Sequence, residues 1–118
     1  MLILIAHGSR NPRWRSAVER LAESLQAESG RANVSFAYME FTPPTLADAV
    51  SDAVRAGAKR VRVLPLFVAN EGHVDKDIRP VVEQLREQHA PVRVELLPAV
   101  GQHPLFLEML NKIALEAE

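Results

Sequence analysis

The 118-residue chain is predicted to fold as a single α/β domain over 1–118, an open, mostly parallel four-stranded sheet with helices on both faces. Three observations carry this. Four short apolar runs recur along the chain, segments of helical period lie between them, and every linker is short with no shift in composition. An alternation of strand and helix with short connections is the pattern of a sheet whose strands are joined by crossover helices.

The first run, Leu2–Ala6, reads LILIA and is aliphatic throughout. The second covers 34–39 (VSFAYM), the third 61–67 (VRVLPLF) and the fourth 92–97 (VRVELL), each short and rich enough in β-branched or aromatic residues for a strand. The first helix is expected over 16–27, with Ala17, Val18, Leu21, Ala22 and Leu25 on one stripe. The second is expected over 45–56, stopped by Gly57 in a left-handed C-terminal position. The third is expected over 77–88, where Pro80 suits a first turn but not an interior. The fourth is expected over 104–115, with Leu107, Leu110 and Ile113 facing inward.

Composition narrows the function. About half the residues (47%) are hydrophobic and the formal net charge is -1. That balance argues against general nucleic-acid binding, which leaves a basic excess. There is no cysteine, so a metal would be held by imidazole, carboxylate or main-chain oxygen. No apolar run approaches the ~18–20 residues of a spanning helix, and residues 1–6 are too short for a signal-peptide core. The expectation is a cytoplasmic protein with no membrane or nucleic-acid partner.

Ligands of open α/β sheets bind beyond the carboxyl ends of the strands. His7-Gly8-Ser9-Arg10 follows the first strand, Glu40 the second, and a loop ending in His73 the third. In a 2-1-3-4 strand order, His7 and His73 share one rim, with Glu40 flanking His7. Two imidazoles and a carboxylate suit a divalent first-row metal and leave coordination positions open. Glu71 competes with Glu40 for the carboxylate role. Arg10, Arg13 and Arg15 precede any acid in the first helical segment, either as a solvated face or as a cluster drawing a polycarboxylate to the rim. Asp75 and Asp77 read as helix-start charges, His89 as a helix-end cation and His103 as a helix starter. Phosphate-binding, serine-hydrolase and zinc-protease signatures are absent.

The stretches AHGSRNP, MEFTPPTLADAV and VLPLFVANEGHVDKDI, in this order, resemble the short CbiX-type chelatases, which stand with the sirohydrochlorin chelatases. The resemblance implies ATP-independent insertion of a divalent metal into sirohydrochlorin or a related reduced tetrapyrrole, with cobalt first and nickel or iron as alternatives. It requires no cofactor beyond that metal substrate. It also implies that His7, His73 and Glu40 are the catalytic and metal-binding residues, and that the chain pairs as a homodimer. Arg10, Arg13 and Lys76 are then candidates for the substrate's carboxylates. One departure is visible: where the family often has D-I-P, this chain has Asp77-Ile78-Arg79-Pro80.

Histidine's ordinary pKa of ~6.5 lets it bind metal or accept a proton near neutrality, so either histidine suits either task. Two other readings use the same residues: a carrier that holds metal without inserting it, and a flavodoxin-like partner module without a ligand. A deep cleft with apolar walls beside the histidines favours the enzyme.

Overall fold

The computed structural model describes residues 1–30, 33–40, 42–69, 72 and 74–117. Four strands, β1 (Leu2–Ala6), β2 (Val34–Tyr38), β3 (Arg60–Pro65) and β4 (Arg93–Leu96), form one sheet in the order β2-β1-β3-β4. Every pairing is parallel, with Leu4 opposite Phe36 on one side and Leu64 on the other. The crossover helices are α1 (Pro12–Ser29), α2 (Leu46–Arg55) and α3 (Arg79–Gln88), and α4 (Pro104–Glu116) follows β4.

Strand alternation divides the core. Ile3, Ile5, Val61, Val63 and Val94 point to one face, where α2 supplies Leu46, Ala49, Val50 and Ala53 and α3 supplies Val82 and Leu85. The other face carries a smaller cluster, Leu4 and Val34 against Ala22 of α1. Helices therefore lie on both faces, as expected of parallel strands.

Caps account for several boundaries. α1 begins four residues earlier than the apolar stripe suggests, because the Asn11 side chain accepts the Arg13 N–H at 3.0 Å and Pro12 opens the helix. Only part of the expected stripe faces inward: Ala22 is buried, whereas Ala17 and Leu21 are exposed. α2 has a capping box in which the Thr45 hydroxyl accepts the Asp48 N–H and the Asp48 carboxylate accepts the Thr45 N–H, both at 3.1 Å. Gly57, at φ +93°, ends that helix, with its N–H donating to Val54 O and that of Ala58 to Ala53 O. Thr45→Ala is expected to lower stability by about 1 kcal/mol while Thr45→Ser stays near wild type, as thermal melts of the two variants would read.

Two expectations need correction. The third helix is preceded by a wide π-helical turn at Val74–Ile78 and becomes α-helical only from Arg79. Pro80 has no N–H for the carbonyl of Lys76, so the helix cannot run regularly through 76–80. The second correction concerns α4. Leu107, Leu110 and Ile113 do not face a core: they are 62%, 44% and 53% exposed, and no residue of α4 is buried. The helix packs chiefly against the short turn Val100–Gln102 before it.

Candidate active site

The strand order makes the ends of β2, β1 and β3 neighbours, and their main-chain ladder runs on past the strands. Met39 N–H donates to Ala6 O at 2.9 Å, Glu40 N–H to His7 O at 3.1 Å, and Leu66 N–H to Ile5 O at 2.9 Å. Glu40 is thus held beside His7 by backbone geometry. Gly8 permits this approach. Its φ is +94°, and a Cβ there would lie 2.0 Å from the carbonyl oxygen of Glu40, a position open only to glycine.

The imidazole of His7 is exposed, but it is braced from the β3 side by the buried ring of Phe67, with ring centroids 4.5 Å apart at a 36° tilt. His7 and Glu40 line one cleft of about 520 Å³, within the range of small-molecule sites. Thr45 and Asp77 add polar groups to its wall, and Leu46 and Ile78 are among its apolar residues. The cleft therefore has the apolar walls and convergent polar groups that suit a large, partly apolar ligand.

Behind this wall, the Tyr38 hydroxyl donates to the main-chain oxygen of Arg15 at 3.1 Å, tying α1 to the end of β2. Burial raises the Tyr38 phenol pKa, Glu19 adds to the rise and Arg15 opposes it, so the phenol stays a neutral donor.

The structure brings together His7 and Glu40. His73 and the competing Glu71 lie outside the described residues. Arg10, Arg13 and Lys76 are exposed and are not part of the cleft wall. Arg79 is paired within the chain, its Nε donating to the Asp75 carboxylate at 3.0 Å. His103 caps α4, its Nδ1 accepting the Leu105 N–H at 3.1 Å, and His89 is the C-terminal cap of α3. Among the described residues, no three His, Asp or Glu side chains are grouped to hold a metal ion.

Sequence reasoning missed Thr45 and Asp77 as cleft residues. Thr45 carried a signal of another kind, the cap pattern with Asp48. Asp77 has the sequence position of a helix-start charge, yet it lies in the wide turn that Pro80 imposes, beside the rim.

The CbiX family model matches residues 1–117. The chain is 35% identical over 88 residues to the sirohydrochlorin cobaltochelatase of Methanocaldococcus jannaschii, covering 75% of this chain and 62% of that protein. It is 29% identical over 110 residues to the chloroplastic sirohydrochlorin ferrochelatase of Arabidopsis thaliana, covering 93% of this chain and 49% of that one. The chain thus spans about half to three fifths of the length of these relatives. Among solved structures, a CbiX protein of Marinobacter aquaeolei VT8 superposes with a TM-score of 0.80 at 33% identity, over 99% of this chain and 93% of that one. The cobalt complex of the sirohydrochlorin chelatase SirB from Bacillus subtilis subspecies spizizenii gives 0.80 at 19% identity, over 98% of this chain and 49% of that chain; at that identity the likeness speaks for the fold. With the sheet order, the rim and a match running from the first residue to the penultimate one, the chain belongs to the CbiX family.

Proposed function

We propose that the chain inserts a divalent metal, cobalt in first place, into sirohydrochlorin or a related reduced tetrapyrrole without ATP, as a chelatase of cobalamin- or sirohaem-type biosynthesis. In this reading residues 1–118 act as one domain, two copies pair as a homodimer, and the protein works in the cytoplasm. The observation that carries the reading is the convergence of His7 and Glu40 on one cleft at the carboxyl rim of the sheet. Two relatives named as sirohydrochlorin cobalto- and ferrochelatases give the reaction class and its metals, and the cobalt complex of SirB points the same way.

Insertion requires the metal to lose water, two pyrrole N–H protons to leave, and the ring to admit the ion. His7 and His73 divide the first two tasks: one presents the metal and the other takes a proton. Glu40, fixed beside His7 by its main chain, orients the imidazole or carries protons outward. The bracing ring of Phe67 limits the orientations of His7 and reduces the ordering left for the reaction. Nickel and iron fit the same nitrogen and oxygen donors.

Arg10, Arg13 and Lys76 attract the carboxylates of the substrate from outside the cleft. Arg13 sits at the positive end of α1, where the first turn holds no acidic side chain. The field there favours an anion. The apolar part of the cleft favours the enzyme over a carrier, since a carrier needs no surface for a macrocycle.

The test is a spectroscopic insertion assay with the purified chain, sirohydrochlorin, and cobalt, nickel or iron offered separately. The expected result is a change to the metallated spectrum faster than without protein, fastest with cobalt. Rates equal to the protein-free reaction for all three metals would overturn the reading.

A further inference from the structure

The chain leaves two surfaces incomplete, and they match. On α4, Phe106, Leu107, Met109, Leu110, Ile113 and Ala114 fall on one arc of roughly 160° at 100° per residue. Glu108, Asn111, Lys112 and Glu116 lie outside that arc together with Leu105 and Leu115, and Glu108 pairs with Lys112 at 3.8 Å. An unbroken apolar arc of this width is built to cover a surface, yet Leu107, Met109, Leu110 and Ile113 stand largely in the open and Phe106 is only half-buried.

The second surface is on the sheet. α1 packs over β2 and β1 and leaves the β3–β4 half of that face without a covering helix among the described residues. Alternation puts Leu64, Leu66 and Leu97 there toward the rim, with Arg60, Arg62, Arg93 and Glu95 toward the other end; all three leucines are only partly buried. Parallel sheets are normally covered on both faces.

Dimensions and charge agree. A 13-residue helix is about 20 Å long, and the six residues of β3 span about 20 Å. A helix descending from the rim would set its apolar turns on the leucines and bring Glu116 to the arginine end. Instead, α4 projects away. The radius of gyration is 14.9 Å and the long axis 51 Å, against about 13.5 Å of radius for a compact chain of this length.

We propose that α4 is an exchange arm: in a dimer, each copy lays α4 on the open β3–β4 face of the other. This rests on the homodimer reading above and adds the element that makes the dimer. Because α4 starts at Pro104, just after the turn whose Gly101 N–H donates to Phe67 O at 3.0 Å, exchange holds the rims of both copies at one end of the assembly.

The absence of cysteine makes the test direct. Leu64→Cys and Leu110→Cys chains are co-expressed under different tags and treated with a short bismaleimide. A covalent dimer joining the two different chains is expected, with little from Leu110→Cys alone. Efficient linkage of Leu110→Cys to itself would mean that the arms pair with each other and would overturn exchange. Linkage confined within single chains of a Leu64→Cys, Leu110→Cys double variant would mean that α4 folds back, and would also overturn it. Sedimentation of the wild-type chain reads the dimer itself. A monomer overturns both proposals, whereas a dimer without the mixed link overturns only the exchange. Leu110→Glu with Ile113→Glu is expected to convert the dimer to a folded monomer, and an unchanged dimer would count against the arm. Metal insertion is a separate readout, so its loss or retention does not bear on which helix makes the contact.

Discussion

His7→Ala is expected to lower kcat/KM for metal insertion by about 10²–10⁴-fold, the range for removing a positioned acid–base group, and further if the imidazole is also the metal's landing point. The fold should survive. His7 is exposed and lies beyond the end of β1, outside the packed core, and the substitution removes its ring contact with Phe67. Such a pair contributes about 0.5–1.5 kcal/mol, a melting shift of a few degrees. Phe67→Leu separates chemistry from positioning: it keeps the imidazole but removes its brace, and a loss of about tenfold in kcat with KM little changed is expected. His73→Ala should resemble His7→Ala in an insertion assay. A His7→Ala chain with wild-type rates and a native melt would remove His7 from the mechanism.

The parts legible in sequence were those fixed by local periodicity and by topology. LILIA reads as a buried strand because every residue is aliphatic, and Ile3, Leu4 and Ile5 are indeed buried. Once four strands and their crossovers are assigned, a parallel sheet with β1 central puts His7 and Glu40 on one rim, and the main-chain bond between them follows. The shape of the cleft was not legible, because Thr45 and Asp77 reach it through a cap and a widened turn. In both cases the sequence shows a local backbone role, and only the packed structure shows which way that backbone faces.

The failure at α4 is of another kind. The periodicity of Leu107, Leu110 and Ile113 identifies an apolar face and does so correctly. It does not say whose surface that face covers, since a helix that seats on its own sheet and one that seats on another chain have the same pattern. Its start also had a readable reason, for His103 caps the helix and Pro104 opens it, while its direction depends on packing at Gly101. There a Cβ would lie 1.8 Å from Val68 O.

Gly8→Ala should damage both the fold and the rim where His7 and Glu40 meet, and a second glycine provides its control. Gly57 has nearly the same backbone angle, φ +93° against +94°, but a Cβ at Gly57 meets nothing within 4 Å. Gly57→Ala therefore carries backbone strain alone, about 1–2 kcal/mol. Gly8→Ala carries the same strain and also drives a methyl into the Glu40 carbonyl oxygen, with Tyr38 Cβ 3.2 Å away on another side. The Glu40 segment or the His7 segment must move, and the bond from Glu40 N–H to His7 O joins the two. A displacement of about 1 Å in a reacting constellation lowers rate by about 10²-fold. Melting temperature should fall further in Gly8→Ala than in Gly57→Ala, and insertion should collapse only in the former. Equal melts with insertion intact in both chains would mean that the rim tolerates separation of His7 from Glu40, and that Glu40 does not act through its place beside the histidine.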